Sequence, residues 1–550
     1  MAELLNCTVG GILEQMAARF PTNDALVYPD RGLRYSYAQF NALCDRVARG
    51  LLGMGIKKGE HIAIWATNVP EWVVLQFASA KMGAVLVTVN TSYKASELEY
   101  VLKQSDSCAL FLVDKFKDTD YVDTLRRIVP ELEHANAGSL QSATLPCLRH
   151  AVYIGADTPA GLLNFADIEA FGAQVSAADF AAIKQSLDVH DVINMQYTSG
   201  TTGFPKGVML THYNIVNNGF SIGECMLLTE KDRLCIPVPF FHCFGCVLGV
   251  MAAVTHGTTM VPVEVFIPEK VLQAVEAERC TALHGVPTMF IAELDHPAFE
   301  HFDLSSLRTG IMAGSPCPIE IMKRVIRDMH CSEITIAYGQ TESSPVITQT
   351  RTDDPIELRV STVGRALPNV EVKIIDIETG VTLPPGKQGE LCTRGYHVMK
   401  GYYKMEEATD KAIDADNWLH TGDLAIMDEN GYCKITGRIK NMIIRGGENV
   451  YPREIEEFLY TNPAIADVQI YGVPDRKFGE QVMAAIKLKE GATLSEADVL
   501  SFCKGQIANY KIPRYIKFVD EYPMTASGKI QKFKLRELAI SELRLEDLEK

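Results

Sequence analysis

Strand-like and helix-like segments alternate along the chain from residue 61 to residue 114. Short apolar runs bounded by turns are typical of buried strands, and the longer runs between them have apolar residues at helical spacing. The segments, in order, are HIAIWAT (61–67), PEWVVLQFASAKMG (70–83), AVLVTVN (84–90), SELEYVLKQSD (96–106) and CALFLVD (108–114). Because parallel strands need a crossover between them, this alternation predicts βαβ units in a parallel sheet.

The pattern changes further along the chain. A similar alternation resumes after residue 191, but between about 360 and 436 the segments VEVKIID, GELCTRG and GYCKITG are short strands separated by turns. They predict a small antiparallel sheet or β-barrel. Residues 441–550 mix short helices and strands, enough for a small α+β domain. We therefore predict an α/β fold, with a large N-terminal domain of mixed or parallel βα sheets at 1–437, a boundary at 438–440, and a small C-terminal domain.

Composition narrows the function. The 550 residues include 53 Lys+Arg and 69 Asp+Glu, a net charge of −16. An acidic surface repels nucleic acid and anionic lipid, so neither is predicted as a main partner. The 14 cysteines have no framework spacing, which indicates reduced thiols and a cytoplasmic location. The first 20 residues lack a long apolar run, so they predict an amphipathic helix rather than a signal peptide.

One long segment, Leu234–Val263, contains no Asp, Glu, Lys or Arg. Pro237, Pro239 and Gly257 interrupt it, which argues against a continuous helix facing lipid. We predict buried strand, loop and helix here, and no transmembrane segment. The segment also holds a lone Cys-x-x-Cys pair, which without a second pair favours packing over a metal site.

The strongest chemical signal is YTSGTTGFPKGV, residues 197–208. Glycines and small hydroxyl residues allow backbone N–H and side-chain O–H groups to approach phosphate oxygens closely, and Lys206 adds a cation. The order of residues differs from a Walker A loop. So many Ser, Thr and Gly residues after an apolar run predict a phosphate-binding loop rather than an ordinary turn.

This segment resembles the phosphate loop of the acyl-adenylate-forming superfamily, which includes acyl-CoA synthetases, luciferases and the adenylation domains of peptide synthetases. The other motifs of the superfamily follow in order over nearly the whole chain. The resemblance is strongest to medium-chain fatty-acyl-CoA synthetases of the type called acyl-CoA synthetase family member 2. The segments that carry it are HYNIVNNG (212–219), RGGENVYPREIE (445–456), FCKG (502–505) and SGKIQKFKLRE (527–537).

The resemblance implies an ATP site. Tyr338 would face adenine, Thr341 the α-phosphate or the carboxylate, and Asp423 the ribose hydroxyls. Glu342 and Thr198 would bind Mg²⁺, which prefers hard oxygen ligands. The implied ATP-binding residues are Thr198, Ser199, Gly200, Thr201, Thr202, Gly203, Phe204, Pro205, Lys206, Gly314, Ser315, Tyr338, Gly339, Thr341, Asp423, Arg438 and Lys529.

The resemblance also implies catalytic residues and a moving part. Lys529 would reach the α-phosphate during adenylation, and His242 would lie near the reacting carboxylate, with Thr341 and Lys206 completing the catalytic set. Residues 438–440 would form a hinge centred on Lys440, about which residues 441–550 rotate as a mobile lid. The path of coenzyme A would be lined by Arg445, Gly446 and Gly447.

The acyl pocket is less defined by the sequence. Apolar content favours a hydrocarbon tail over a second carboxylate or an amino group, although each candidate could equally be plain core. The candidate pocket residues are Phe240, Phe241, Phe244, Val247, Ile311 and Met312.

The predicted function is an acyl-CoA synthetase with ATP, Mg²⁺ and coenzyme A as its small-molecule requirements. It would convert a fatty, medium-chain acid to acyl-AMP and pyrophosphate, and then transfer the acyl group to coenzyme A. Three alternatives stay open: a luciferase-like oxygenase, an acyl-AMP ligase that loads a carrier protein, and a non-catalytic nucleotide- or acyl-binding regulator. A homodimer is compatible with each.

Overall fold

The computed structural model describes residues 3–135, 138–198, 205–315, 317–446, 448–525 and 529–548. Its chain forms two compact units. The first unit comprises residues 1–372 and 393–419, and the second comprises residues 373–392 and 420–550. The finer division predicted from the sequence, with a hinge at 438–440, stays a prediction.

Strands occur throughout the described residues. In chain order they are β1 Asp24–Tyr28, β2 Leu33–Ser36, β3 His61–Trp65, β4 Val85–Thr88, β5 Ala109–Leu112, β6 Lys115–Phe116, β7 Thr119–Asp120, β8 His150–Tyr153, β9 Leu163–Asn164, β10 Val192–Thr198, β11 Lys206–Thr211, β12 Arg233–Ile236, β13 Thr259–Pro262, β14 Ala282–Gly285, β15 Thr309–Ala313, β16 Glu333–Gly339, β17 Val346–Gln349, β18 Arg365–Ala366, β19 Val370–Ile375, β20 Gln388–Gly395, β21 Gly401–Tyr402, β22 Leu419–Met427, β23 Cys433–Arg438, β24 Ile443–Arg445, β25 Glu448–Val450, β26 Ile465–Asp475, β27 Gly479–Leu488 and β28 Tyr515–Phe518.

Helices separate many of these strands. The α-helices are α1 Val9–Arg19, α2 Tyr37–Gly53, α3 Pro70–Met82, α4 Ala95–Gln104, α5 Tyr121–Ile128, α6 Ile168–Phe171, α7 Ala177–Gln185, α8 His212–Cys225, α9 Ala252–Thr255, α10 Pro268–Glu278, α11 Pro287–Leu294, α12 Ile319–Asp328, α13 Ile356–Ser361, α14 Glu406–Ala412, α15 Pro452–Leu459, α16 Glu496–Cys503 and α17 Lys532–Leu543.

The predicted βαβ alternation is confirmed in an eight-stranded sheet of the first unit, with the order β21-β11-β10-β4-β3-β5-β8-β9. Strand β3 pairs in parallel with both β4 and β5. The crossover helix α3 begins at Pro70 and ends before Gly83, which adopts the left-handed conformation at φ 82°. Proline suits the first turn of a helix and glycine its C-terminal end, so this local sequence fixes both ends of the helix.

A nine-stranded sheet completes the first unit, with the order β18-β17-β16-β15-β14-β12-β13-β1-β2. Strands β14, β15 and β16 run in parallel, and Ala313 at the end of β15 lies beside Ala337 near the end of β16. The carboxyl ends of parallel strands share one edge of a sheet, which is where such folds bind ligands. The motifs that follow Ala313 and Ala337 therefore meet at this edge.

The long uncharged segment folds as predicted into buried strand, loop and helix. Strands β12 and β13 flank a π-helix, Phe244–Met251, whose residues are all buried. A Cβ atom on Gly245 would lie 2.4 Å from the carbonyl oxygen of Pro239, so only glycine fits this close approach. No helix among the described residues is both long and apolar enough to cross a bilayer.

The second unit contains most of a four-stranded sheet, ordered β19-β20-β22-β23, and a five-stranded sheet. Strands β22 and β23 are antiparallel, as predicted for this region. In the five-stranded sheet, β26 and β27 form a long antiparallel hairpin that β28 extends in parallel. Helix α15 packs Ile455 and Leu459 against Ile470 of β26, which gives this part its own apolar core.

Candidate active site

Two antiparallel strands hold the two ends of the predicted phosphate loop. Thr198 ends β10, Lys206 begins β11, and the two residues are paired in the antiparallel ladder. Residues 199–204 lie outside the described residues, so the predicted Ser199, Gly200, Thr201, Thr202, Gly203 and Phe204 have no structural description. Pro205 accepts a hydrogen bond from the Tyr100 hydroxyl at 3.0 Å. The sheet therefore fixes the backbone of Thr198 and Lys206, the two residues that carry the hydroxyl and the ammonium at the ends of the loop.

Glu342 lies next to these anchors in a short helical turn, Thr341–Ser343. Its Oε1 accepts a hydrogen bond from the Tyr402 hydroxyl at 2.8 Å and lies 3.4 Å from the Thr198 hydroxyl oxygen. The Lys206 ammonium lies 4.2 Å from the centre of the Tyr402 ring, a cation–π contact. The structure thus brings together the predicted residues Thr198, Lys206 and Glu342 around one tyrosine.

Tyr402 is the residue that the sequence reasoning missed. Burial and the neighbouring Glu342 carboxylate raise its pKa, so the phenol stays protonated and donates to that carboxylate. Tyr402 reaches the site because β21 pairs with β11, with Val208 opposite Tyr402. The pairing joins segments almost 200 residues apart in the chain, and no local pattern around Tyr402 indicates it.

The predicted adenine and phosphate residues lie at the carboxyl ends of β15 and β16 or directly after them. Gly314 and Ser315 come directly after β15, and Gly314 has a φ of 91°. Tyr338 and Gly339 end β16, where a Cβ atom on Gly339 would lie 1.8 Å from the carbonyl oxygen of Pro345. Thr341, which begins the next turn, is buried. Glycine is required at position 339 because the backbone of the following turn approaches so closely.

His242 lies in the loop before the π-helix. The backbone N–H of Phe244 donates a hydrogen bond to Nδ1 of His242 at 3.1 Å. An accepting Nδ1 carries no proton, so this contact assigns the proton of the neutral ring to Nε2. A ring in this tautomer can donate a hydrogen bond to a developing oxyanion.

The acyl pocket candidates are buried: Phe240, Phe241, Phe244, Val247, Ile311 and Met312. Ile311 and Met312 are neighbours on β15, so their side chains point to opposite faces of the sheet. Met312 belongs to the core formed with Leu283 and Met322. Ile311 and Met312 thus do not face one pocket together.

The two thiols of the Cys-x-x-Cys pair both contact the Gln196 side chain. Cys243 Sγ donates to Gln196 Oε1 at 2.8 Å, and Cys246 Sγ accepts from Gln196 Nε2 at 3.2 Å.

Asp423 and Arg438 form an ion pair in the second unit. They are opposite each other on β22 and β23, and Arg438 Nε lies 2.8 Å from Asp423 Oδ1. The Asp423 side chain is 4% exposed and that of Arg438 is 52% exposed. The ion pair therefore consists of a buried carboxylate and a half-exposed guanidinium. The Thr421 hydroxyl donates to the carbonyl of Leu391 at 2.6 Å and accepts from the Asp423 N–H at 3.1 Å, which fixes the turn before Asp423.

The predicted hinge and coenzyme A segments follow in the chain. Lys440 is exposed in a short helical turn, Ile439–Asn441. Arg445 donates from Nε to Gln481 Oε1 at 2.7 Å and from Nη1 to the carbonyl of Asn509 at 3.2 Å. Gly446 has a φ of 63°, a left-handed conformation that favours glycine, whereas Gly447 lies outside the described residues.

Lys529 is described, whereas the preceding residues 526–528 lie outside the described range. Its backbone N–H donates to the Thr525 hydroxyl at 3.0 Å, and its carbonyl accepts from the Thr525 N–H at 2.7 Å. An isolated bridge also pairs Met524 with Ile530. These contacts hold the backbone of Lys529 beside Thr525.

Comparisons with known proteins identify the family of the chain. The family model described as AMP-binding enzyme matches residues 13–403, and that described as AMP-binding enzyme C-terminal domain matches residues 454–529. The provisionally named acyl-CoA synthetase YngI of Bacillus subtilis is 61% identical, with 99% of each chain covered. The mitochondrial medium-chain acyl-CoA ligase ACSF2 of Bos taurus is 44% identical, with 98% of this chain and 89% of the relative covered.

Solved structures give the same result. The anthranilate CoA ligase AuaEII, in complex with anthranoyl-AMP, has a TM-score of 0.84 at 28% identity, with 98% of each chain covered. A fatty acyl CoA synthetase of Mycobacterium tuberculosis has a TM-score of 0.73 at 30% identity, covering 97% of this chain and 99% of that one. The chain belongs to the AMP-binding enzyme family, within its class of acyl-CoA synthetases. It is therefore an AMP-forming acid–thiol ligase that uses ATP and coenzyme A, as the sequence predicted.

Proposed function

We propose that this acyl-CoA synthetase acts on medium-chain fatty acids. The carboxylate attacks the α-phosphate of ATP, giving acyl-AMP and pyrophosphate, and the thiol of coenzyme A then displaces AMP. The observation that carries the nucleotide half is the convergence of Thr198, Lys206 and Glu342 around Tyr402. The chain length is supported by the bovine relative named as a medium-chain ligase, and the hydrocarbon character of the substrate by the buried aromatic residues near His242.

Lys206 and Glu342 would act on the polyphosphate. Lys206 at the end of its loop is a cation for phosphate oxygens, and Glu342 with Thr198 supplies hard oxygen ligands that fit Mg²⁺. The ion would neutralise charge on the triphosphate and so favour departure of pyrophosphate. The Tyr402 hydroxyl would hold the Glu342 carboxylate in place, so this ligand would be oriented before an ion binds.

Other residues would bind the nucleotide ends and the acid. Tyr338 with Gly314, Ser315 and Gly339 would border adenine, and Asp423 with Arg438 would hold the ribose. His242, with its proton on Nε2, would donate a hydrogen bond to the reacting carboxyl oxygen. The acyl chain would lie against Phe240, Phe241, Phe244, Val247 and Ile311, which are buried and apolar. Met312, on the opposite face of β15, would support this wall from the core.

Two further parts of the cycle depend on the second unit. Lys529 would offset the charge that builds up at the α-phosphate, together with Thr341. Rotation about Lys440 would then remove Lys529 and bring Arg445, Gly446 and Gly447 to the path of coenzyme A. Residues 441–550 would be the part that moves, and a separate family model covers residues 454–529 within this segment.

A panel of carboxylic acids tests the proposed substrate. Straight-chain acids from short to long, with aromatic acids as controls, would be scored for AMP release that depends on coenzyme A. We expect the highest kcat/KM for medium-chain acids. A maximum for aromatic or dicarboxylic acids would overturn the proposed substrate class. AMP release without thioester formation on free coenzyme A would favour a carrier protein as the acceptor.

We also propose a cytoplasmic location and a homodimer. None of the 14 cysteines, which all lie among the described residues, forms a disulfide bond, and this suits a reducing compartment. Fractionation of cells and light scattering of the purified protein test the two proposals, and a monomer at micromolar concentration would exclude the homodimer.

A further inference from the structure

Three side chains of the kind that bind metal ions lie on one face of the four-stranded sheet in the second unit. Glu390 and Cys392 are two residues apart on β20, so their side chains point to the same face. His420 is the second residue of the neighbouring strand β22. The sheet therefore places a carboxylate, a thiol and an imidazole side by side.

The distances between these groups suit a common metal ion. Nδ1 of His420 lies 3.1 Å from Oε2 of Glu390 and 3.6 Å from Sγ of Cys392, and all three ligand atoms lie within 4.8 Å of one another. Tetrahedral Zn²⁺ has bonds of about 2.0–2.3 Å, which puts its ligand atoms about 3.3–3.7 Å apart. Small side-chain adjustments would bring the three atoms to that geometry.

Burial and outer hydrogen bonds support the same arrangement. Cys392 is fully buried, whereas the side chains of Glu390 and His420 are 13% and 30% exposed. The thiol is thus shielded while the imidazole edge leaves a route for an ion. Oε1 of Glu390 accepts a hydrogen bond from the backbone N–H of Gly422 at 2.9 Å. This contact orients the carboxylate so that its other oxygen faces His420, as outer contacts do for metal ligands.

We propose that Cys392, His420 and Glu390 form a binding site for a transition-metal dication, Zn²⁺ above others, with water as a fourth ligand. A thiolate and an imidazole select Zn²⁺ over Mg²⁺, so this site is separate from the oxygen ligands Thr198 and Glu342. Binding releases the proton of the Cys392 thiol. Because His420 and Gly422 flank Thr421, a bound ion also stiffens the turn that leads to Asp423.

The test is a Zn²⁺ titration of the full-length protein, first stripped with a chelator, against a chromophoric competitor and without nucleotide. We expect one equivalent to bind, and Co²⁺ to give a thiolate-to-metal charge-transfer absorption. Cys392→Ser, His420→Asn and Glu390→Gln should each weaken binding by about 10-fold or more, and Cys392→Ser should abolish the absorption. Cys433→Ser is the matched control, because Cys433 is an equally buried thiol in the same sheet.

Several results would overturn the site. They are the absence of a stoichiometric equivalent, binding that survives Cys392→Ser, and binding that is lost instead with Cys147→Ser, the exposed thiol. Thermal unfolding of each variant identifies a folding defect, and His420→Asn, which keeps the thiol, decides the result if Cys392→Ser is unstable. The titration needs no ligase activity, so its failure is distinct from failure of the proposed substrate.

Discussion

The hydroxyl of Tyr402 donates to Oε1 of Glu342 at 2.8 Å, although Tyr402 belongs to β21 and Glu342 to the helical turn Thr341–Ser343. The same ring lies under the Lys206 ammonium. One side chain therefore positions both charged groups proposed to act on the polyphosphate, and its loss should disturb both.

Tyr402→Phe should lower kcat/KM for ATP by about 10-fold. Removing a hydrogen bond to a charged group costs about 1.5 kcal/mol or more, which corresponds to at least about 10-fold, while the ring and its cation–π contact remain. Pyrophosphate release over a range of Mg²⁺ concentrations measures the effect, and the Mg²⁺ requirement should rise. Tyr403→Phe is the control, because its hydroxyl donates to Asp106 at 2.8 Å, away from Glu342. Equal behaviour of the two variants would remove Tyr402 from the site.

Lys529→Ala should slow adenylation by about 100-fold or more and leave the thioesterification of preformed acyl-AMP nearly intact. An ammonium that acts only on charge at the α-phosphate matters to the first half-reaction alone. The two half-reactions are measured separately, by pyrophosphate release and by acyl-CoA formation from acyl-AMP. Lys534→Ala, in the exposed part of α17, should change neither. Comparable loss of both half-reactions in Lys529→Ala would contradict the assigned role.

Lys440→Pro should abolish steady-state turnover while sparing one of the two half-reactions. Proline fixes φ near −65°, so a backbone that must rotate at this residue is held in one state. Lys440→Ala keeps the backbone freedom and should retain both half-reactions, which separates the backbone effect from loss of the charge. If Lys440→Pro completes both half-reactions at the normal rate, rotation takes place elsewhere.

Glu293 should make the protein less stable as pH rises. Its side chain in α11 is 1% exposed, and neither carboxyl oxygen has a hydrogen-bond partner among the described residues. Burial raises its pKa well above the ordinary value, so the folded chain keeps a proton that the unfolded chain loses above about pH 4.3. The folded state therefore loses stability with rising pH until Glu293 ionises.

Glu293→Gln removes this proton linkage. Its unfolding midpoint relative to the wild type should increase between pH 5 and pH 8, as followed by calorimetry. Glu300→Gln, in an exposed turn that follows the same helix, should show no such trend. A constant difference at every pH would mean that the Glu293 carboxyl is not protonated in the folded protein.

Much of the architecture was predictable because it is encoded locally. Pro70 and Gly83 mark the ends of α3, and the apolar runs on either side have the length of buried strands. The phosphate loop stays a prediction, and it could be proposed from the sequence because its glycines, hydroxyls and Lys206 are contiguous. Adjacent residues of a strand have side chains on opposite faces of the sheet, so Ile311 and Met312 cannot line one pocket together. This part of the pocket prediction could have been corrected from the sequence.

Other parts depend on long-range pairing. Tyr402 enters the site through the pairing of β21 with β11, and the Cys392–His420 contact depends on β20 lying beside β22. Neither adjacency follows from local propensity, because strand order is decided by the packing of the whole sheet. The same holds for Glu293, since α11 has an ordinary helical sequence and only its surroundings make the carboxyl a buried one.

The pairing of Thr198 with Lys206 has a consequence for how the nucleotide site can change. Side chains alternate between the two faces of a sheet, so a slip of one residue in this ladder would turn Lys206 toward the opposite face. Substitutions between Thr198 and Lys206 would change the chemistry of the loop but leave the pairing of these two residues intact. An insertion that shifts the pairing of β11 by one residue would instead turn the Lys206 ammonium away from its proposed phosphate site, without replacing a single residue of the motif.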